Sequence, residues 1–583
     1  MGIYLNPGNE GFWEAVRSEI YVDKTGLIRY TNKYINTEQK YICVSRPRRF
    51  GKSMALKMLA AYYGSECDSQ ALFAGREIER DLTYREYLNR YDVILLNMQQ
   101  FVIRAKNQPI TDYLEQVVIE ELHEVYGELF PEKETVLAAV LERIYAKTGK
   151  KFIFLIDEWD CVIRERQEEE KQQKQYLDFL RNLLKDQPYV ALAYMTGILP
   201  VKKYGQHSAL NMFWEYSMLD QGFFEEYTGF TDGEVKELCE RFSMDFAQAG
   251  SWYDGYQFTR FTHIYNPKSV VEAMLRHRFS NYWTTTETYD ALKIYMDMDF
   301  DGLRGDIVRM LGGERVKVHV FGFQNDMRTF RKKDDVLTLL IHLGYLAYDS
   351  EREEAFIPNR EIVREFENAM SVGGWPEIMR VLKASERLLE DTLLGDEESV
   401  AKGLDRAHTE VASILIYNDE NSLGCAISLA YYSARKDYRI VRELPSGKGF
   451  ADIVFLPLPF SNKPALVVEL KYNKSAETAI RQIKDRSYTQ ALLGYSGEIL
   501  LVGVNYDKNS ADKRHSCIIE RMEKNEKDKK VFVHHSRTDF TGACYVGGRV
   551  CGKAVRAGAA HLCAGNQGNL SLAGDAGRDF MYG

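Results

Sequence analysis

The strongest constraint in this chain is the stretch Tyr41-Ile-Cys-Val-Ser-Arg-Pro-Arg-Arg-Phe-Gly51-Lys52-Ser53. The apolar run Tyr41 to Val44 predicts a buried strand, the loop after it ends in Gly-Lys-Ser, and Leu56, Leu59, Ala60 and Tyr63 recur at helical spacing. Strand, loop and helix in this order are what a nucleoside triphosphate site requires. Gly51 lets the backbone approach the phosphates, Lys52 reaches the β and γ oxygens, and the Ser53 hydroxyl can ligand Mg²⁺ at a positively polarised helix start. The usual pattern has a glycine five residues before Gly51, where this chain has Arg46. An ordinary helix start therefore competes with a phosphate loop here.

The second signal is Lys151-Phe-Ile-Phe-Leu-Ile156-Asp157-Glu158, a buried strand ending in two carboxylates. It fits a Walker B element in which Asp157 holds the Mg²⁺ shell and Glu158 polarises the attacking water. Two such signals in order favour an ATP and Mg²⁺ site over a solvated Asp-Glu turn. Between and after them the chain alternates. Tyr91 to Asn97 reads as a strand, Pro109 to Thr148 as largely helical, Glu165 to Lys185 as a charged helix, and Tyr189 to Met195 as a strand. Alternation of this kind predicts a parallel sheet covered on both faces. Thr196, at the end of the last strand, is a candidate γ-phosphate sensor, with a turn threonine before Gly197 as the competing reading.

Two further segments keep two readings each. Tyr21-Val-Asp-Lys-Thr25 either closes over the nucleotide base or caps a helix through Asp23, the more economical choice. Ser251-Trp-Tyr-Asp-Gly-Tyr256-Gln-Phe is read as a packed subdomain core rather than a base-stacking platform, because no basic neighbours accompany it in sequence.

With 583 residues the chain exceeds a single core, and about three domains are expected. A formal net charge of −9 means that any nucleic acid must be met by local basic patches, which counts against a DNA-coating protein. Nine cysteines without a Cys-x-x-Cys pair, two of them (Cys43 and Cys161) in or beside the ATP-site elements, read as reduced thiols. No secretory signal series and no apolar run of membrane-spanning length is apparent, so a cytoplasmic protein without a membrane partner is expected.

Arg46-Pro-Arg-Arg-Phe-Gly-Lys-Ser53, together with Tyr21-Val-Asp-Lys-Thr25, Ile156-Asp-Glu-Trp-Asp160 and Trp252-Tyr-Asp-Gly-Tyr256, resembles the bacterial and archaeal AAA-ATPase-like family. Its members often carry a C-terminal PD-(D/E)XK nuclease domain. The resemblance covers most of residues 5 to 280 and implies that Arg46 is normal, since the family's phosphate loop routinely lacks the first glycine. Trp159 and Cys161-Val162 depart from the commoner tyrosine and Ala-Pro, at positions with no phosphate or metal role. Arg48 and Arg49 are candidates to contact phosphates with Arg46, either within the subunit or across the interface of a homo-oligomer; both remain open.

From about 285 to 375, an apolar-faced helix at Asp334 to Leu343, two short strands and a helix at Arg360 to Met370 suggest a winged-helix module. Arg328, Arg331, Lys332 and Lys333 form a local basic cluster before it, to be weighed against a solvated loop. Near the C-terminus, Tyr438 to Leu444, a turn at Ser446-Gly-Lys-Gly449 and Phe450-Ala-Asp452-Ile-Val-Phe read as a hairpin, followed by the strand Ala465 to Lys471. Glu469 and Lys471 project to one side of that strand and Leu470 to the other. Glu469 beside Asp452 makes a paired-carboxylate site for Mg²⁺, with Lys471 placed to orient or deprotonate water. This is the PD-(D/E)XK signature. Glu420 on the preceding helix is a candidate third carboxylate, and a helix carrying Gln482 and Tyr488 follows, against the bland alternative of a structural salt bridge.

The expected fold is α/β: a P-loop NTPase parallel sheet with a helical lid (residues 1–280), a winged-helix-like linker (281–375) and a restriction-endonuclease-like domain (376–510). A charged, then Gly/Ala-rich tail (511–583), with Cys544, Cys551 and Cys563 in no zinc pattern, is expected to be disordered or a non-native extension. The expected function is ATP binding and hydrolysis coupled to a Mg²⁺-dependent nuclease-like domain acting on DNA or another nucleic acid. Two alternatives stand beside it: a regulatory or scaffolding switch whose nuclease fold binds without cutting, and an ATPase acting on protein partners.

Overall fold

The computed structural model describes residues 2–522 apart from 107, 167–168, 202–209, 221, 284–288, 299, 301, 324–329, 412–419, 447–448, 459–460, 486–491, 493–494, 496 and 510–513. The N-terminal sheet contains β1 (Tyr41–Ser45), β2 (Asp92–Asn97), β3 (Phe152–Asp157), β4 (Val190–Gly197) and β5 (Trp214–Tyr216). Their spatial order is β2-β3-β4-β1-β5, and every neighbouring pair is parallel. β1, β3 and β4 are buried along their whole length, which is why they read as continuous apolar runs rather than alternating ones. One face packs Cys43, Phe154 and Met195 against helices Ile110–Tyr126 and Glu170–Leu184; the other packs Val44 and Leu155 against helix Lys52–Tyr63. Because β4 lies between β1 and β3, Thr196 pairs with Val44 at the mouth of the phosphate loop and stands next to Asp157.

The lid follows, with β6 (Phe230–Thr231) and β7 (Ile264–Tyr265) paired antiparallel and helices Asp232–Phe242, Phe246–Tyr253 and Pro267–Leu275 around a core of Val235, Tyr253 and Val270. The middle segment is winged-helix-like. Helix Leu303–Leu311 leads into β8 (Val316–Lys317), helix Lys333–Leu343 follows, then come β9 (Ala347–Asp349) and β10 (Glu354–Phe356); the three strands form an antiparallel sheet in the order β8-β10-β9, and helix Arg360–Val372 closes the segment. The helix before the hairpin is buried from Asp334 through His342, so it has no face to offer a nucleic-acid groove. Of the expected basic cluster, Lys333 pairs with Asp306 at 2.6 Å and Lys332 with Asp334 at 3.5 Å, while Arg328 lies outside the described residues.

The C-terminal sheet is mixed. β11 (Tyr438–Ser446), β12 (Gly449–Pro457) and β13 (Ala465–Tyr472) run antiparallel, β14 (Ile499–Tyr506) pairs parallel with β13, and β15 (His515–Met522) pairs antiparallel with β14. Helix Ala476–Asp485 covers the face of Val467 and Leu501, and helices Pro376–Leu394, Glu397–Val411 and Glu420–Ala430 the face of Val468 and Leu470. The expected boundary at 510 is one strand short. Ser516, Glu520 and Arg521 give β15 a charged, half-exposed edge-strand pattern that reads from sequence as the start of the tail. The segment from 523 on lies outside the described residues.

A single apolar cluster runs from Phe50 in the phosphate loop through Tyr256, Leu340 and Phe366 to Val468. Embedded in this region is Glu361, fully buried, accepting from Ser269 Oγ at 2.8 Å and Tyr282 N at 2.8 Å. Burial pushes its carboxyl up to about 7; the two donors and the Arg49 charge oppose this, and Glu365 adds to it. A carboxyl raised in the folded state contributes stability that is full below its unfolded pKa and is lost as pH rises through about 7. Glu361→Gln is therefore expected to flatten the fall in Tm between about pH 5 and 8, removing a pH-linked loss of up to about 3 kcal/mol. Thermal melts across that range check this, and parallel Tm profiles for the two proteins would contradict it.

Candidate functional sites

At the first site, the loop between β1 and helix Lys52–Tyr63 turns through left-handed backbone at Arg49 (φ 72°) and Gly51 (φ 87°). At Gly51 a side chain would meet open space, so the backbone angle, not crowding, calls for glycine. The loop lines a cavity of about 480 Å³, within the roughly 300–1,000 Å³ typical of small-molecule sites. Arg48, Arg49, Gly51, Lys52, Ser53 and Glu158 all border it. Its apolar wall comes from Phe12, Ile20, Tyr21 and Val22 on one side and Phe230 and Val271 of the lid on the other. Asp23 does not cap helix Leu27–Tyr34, whose N-cap is Gly26 with no side-chain bond; it ties a turn together instead. Asp23 accepts from Thr25 N at 2.9 Å and Glu77 N at 2.8 Å, and that turn places Tyr21, Val22 and Lys24 against the cavity.

The Lys52 amine is buried and donates to the Arg46 and Pro47 carbonyls at 3.0 and 2.9 Å. It makes no ion pair with Asp157; the amine curls under its own loop. Burial lowers its pKa, while Glu158, Asp157 and Asp160 pull it back up. Asp157 Oδ1 accepts from Thr196 Oγ1 at 2.6 Å and Glu158 N at 3.1 Å, which joins the candidate sensor to the candidate Mg²⁺ ligand. Glu158 sits in left-handed backbone (φ 52°) and pairs through Oε2 with Arg164, itself largely buried. Burial raises the Glu158 pKa and the Lys52 charge opposes it. Arg164 also holds Asp160 at 2.9 Å, and Asp160 in turn accepts from Ile198 N and Leu199 N just past β4. Sequence reading passed over Arg164, although its i,i+4 spacing from Asp160 on helix Cys161–Glu165 was a usable signal.

Arg46 does not border the cavity. Its side chain is fully buried, bonds the Ser45 and Tyr216 carbonyls at 3.1 and 3.2 Å, and lies 5.5 Å from the Phe258 ring. Burial lowers its pKa to about 9. The loop also touches the chain beyond the first lid helices. Arg49 donates to the Tyr282 carbonyl, Phe50 meets Tyr256 edge-on at 5.1 Å, and the Tyr256 hydroxyl donates to the Gly344 carbonyl at 2.7 Å. A Cβ on Gly344 (φ 85°) would lie 2.7 Å from Pro47 Cβ, so the winged-helix-like segment packs directly on the phosphate loop.

At the second site, Glu469 is fully buried and Lys471 nearly so, both on one face of β13. Lys471 Nζ donates to Glu469 Oε1 at 2.7 Å and to the Leu470 carbonyl at 2.9 Å, and Gln482 Nε2 donates to the same Glu469 oxygen. Asp452 on β12 accepts from Leu470 N at 2.7 Å, which fixes it beside Glu469. Burial and then the Asp452 charge push the Glu469 carboxyl up to about 7, against the Lys471 charge. Glu469 Oε2 is buried without a hydrogen-bond donor among the described residues. A carboxylate oxygen in that state, beside a second carboxylate, suits a cation. Glu420 opens helix Glu420–Ala430 on the Leu470 side of the sheet; its side chain, like Tyr488, lies outside the described residues.

Residues 12–206 match the family described as "Predicted AAA-ATPase", and residues 419–516 the "PD-(D/E)XK nuclease superfamily". A curated relative, an "Uncharacterized protein in vnfD 5'region" of Azotobacter chroococcum mcd 1, is 26% identical over 274 residues, 46% of this chain and 51% of the relative. The match thus spans about half the length of that relative. The solved ORC2 protein of Aeropyrum pernix (ADPNP–ADP complexes) is similar at a TM-score of 0.27 and 10% identity, over 61% of this chain and 97% of that one. From these family matches and the two sites, the chain joins an AAA-ATPase-like domain to a domain of the PD-(D/E)XK nuclease superfamily.

Proposed function

We propose that this protein binds and hydrolyses ATP and that its C-terminal domain cleaves nucleic acid, DNA first among the substrates, with a divalent ion. The observation that carries the reading is the second site: Asp452 and Glu469 side by side, Lys471 on Glu469, and one buried carboxylate oxygen without a donor among the described residues. Asp452 and Glu469 would hold Mg²⁺, which when bound supplies Lewis-acid stabilisation of charge on a phosphodiester. Lys471 opposes the rise of the buried Glu469 carboxyl and presents an amine within reach of an attacking water; Gln482 holds the Glu469 carboxylate in orientation. In the first site, Ser53 and Asp157 would hold the ATP-bound Mg²⁺ and Glu158 would orient water, with Arg48 and Arg49 beside the phosphates and Thr196 bonded to Asp157. For ATP to bind, the Lys52 amine must leave the Arg46 and Pro47 carbonyls for the phosphates. That movement is made in a loop packed on the middle segment through Phe50, Tyr256 and Gly344, the route by which nucleotide state would reach the nuclease side.

The test is incubation of the full chain with plasmid, single-stranded DNA and RNA, with Mg²⁺ or Mn²⁺, with and without ATP. Metal-dependent cleavage absent from Asp452→Asn is the expected result. ATP turnover without cleavage of any substrate under either metal would instead establish the non-cutting switch.

A further inference from the structure

The aromatic segment around Trp252 has no basic neighbours in sequence, yet the fold supplies them. Helix Arg360–Val372 crosses helix Phe246–Tyr253 so that the guanidinium carbons of Arg360 and Arg364 stand 4.9 and 5.9 Å from the Trp252 ring centre. The two arginines are one helical turn apart, and Arg364 is exposed. Neither is within ion-pair distance of a carboxylate among the described residues. The acids in electrostatic range of Arg360 are engaged elsewhere, Glu367 by the Tyr432 hydroxyl and Asp437 by Lys463 at 2.6 Å. Two like charges held together without carboxylate partners cost free energy that a bound anion would recover: burial and the Arg364 charge together lower the Arg360 pKa. The ring attracts both guanidinium groups, whose N–H donors can serve phosphate oxygens.

We propose that Trp252, Arg360 and Arg364 form a binding site for the phosphate backbone of a single-stranded nucleic acid. Aromatic rings and guanidinium groups are also surfaces on which bases stack, which suits a strand with unstacked bases better than a duplex. The position fits the use. Trp252 belongs to the lid and the arginines to the winged-helix-like segment, and Glu367 on the same helix is bonded to Tyr432 just ahead of β11 of the nuclease-like domain. A strand held here touches the lid and the winged-helix-like segment, on a helix that is itself bonded to the nuclease-like domain. Choosing a nucleic acid as the anion rests on the function proposed above.

The test is fluorescence anisotropy of labelled oligothymidylate with the full chain in EDTA, where metal-dependent cutting is suppressed, over a salt series. Arg360→Gln/Arg364→Gln is expected to bind about 10-fold or more weakly at low salt. Its plot of log affinity against log salt should be shallower by about 1.4, from about 0.7 per lost contact with a single strand. Arg360→Lys/Arg364→Lys should restore the salt slope but only part of the affinity, since lysine keeps the charge without the planar edge. Arg364→Gln alone, a replacement of an exposed side chain, guards against misfolding and should give about half the slope change. Equal affinity and slope in wild type and all three variants would overturn this site while leaving a nucleic-acid substrate in place. Absence of binding by the wild type would overturn this site, while the proposed function stands or falls on the metal-dependent cleavage assay.

Discussion

Asp452→Asn should lower metal-dependent cleavage by about 1,000-fold or more, because removing one of two carboxylates that share a cation forfeits roughly 4 kcal/mol of charge stabilisation at the reacting phosphate. The protein should remain folded. Asparagine keeps a side-chain oxygen to accept from Leu470 N, and Glu469 keeps its cation on Lys471. Lys471→Ala should lose cleavage as fully but at a cost in stability. It leaves the fully buried Glu469 without its ion-pair partner, and a buried charge deprived of its partner typically costs about 3–5 kcal/mol. Rates and chemical-denaturation curves of the two variants separate chemistry from folding. Full cleavage by Asp452→Asn would remove the second site from the reaction. A Lys471→Ala protein as stable as wild type would show that Glu469 is protonated or solvated in the fold.

The second large effect is at the phosphate loop. Lys52→Ala should cut ATP turnover by at least about 100-fold, the usual consequence of removing a positioned cation that meets developing charge. The same change removes the donor from the Arg46 and Pro47 carbonyls and a counter-charge from the field of Glu158, Asp157 and Asp160. Nucleotide affinity, read with a fluorescent ATP analogue, should therefore fall along with turnover. Cleavage measured without ATP should be unchanged if the nuclease-like domain is independent of nucleotide, and reduced if the Phe50–Tyr256–Gly344 contact transmits the state of the loop. Phosphate release that persists in Lys52→Ala would locate ATP chemistry elsewhere in the chain.

The elements that position the two candidate sites were legible because each is a local pattern. Apolar runs ending in Gly-Lys-Ser or Asp-Glu define strands whose ends must hold polar groups, and alternation along Ala465 to Tyr472 separates Glu469 and Lys471 from Leu470. The place of Thr196 was legible for the same reason, at the end of a buried strand. Arg46 was a harder case. Its neighbours in sequence line the cavity, but its own side chain goes beneath the loop to the Tyr216 carbonyl, 170 residues away, a partner that no local pattern names. The basic cluster before the winged-helix-like segment looked available and is partly consumed by Asp306 and Asp334. Trp252 looked unaccompanied and is flanked by arginines more than a hundred residues downstream.

By itself, then, the order of residues determined the parallel sheet, the Gly-Lys-Ser loop that lines the cavity and the acidic–basic strand of the nuclease-like domain, since these depend on spacing along one or two adjacent segments. Only the tertiary structure decided which charges are spent on each other and which remain for a ligand. Ion pairing is set by distances of a few ångströms in space, and Lys52, Arg164 and Arg360 each take their electrostatic setting, in part or whole, from helices and loops that folding brings to them.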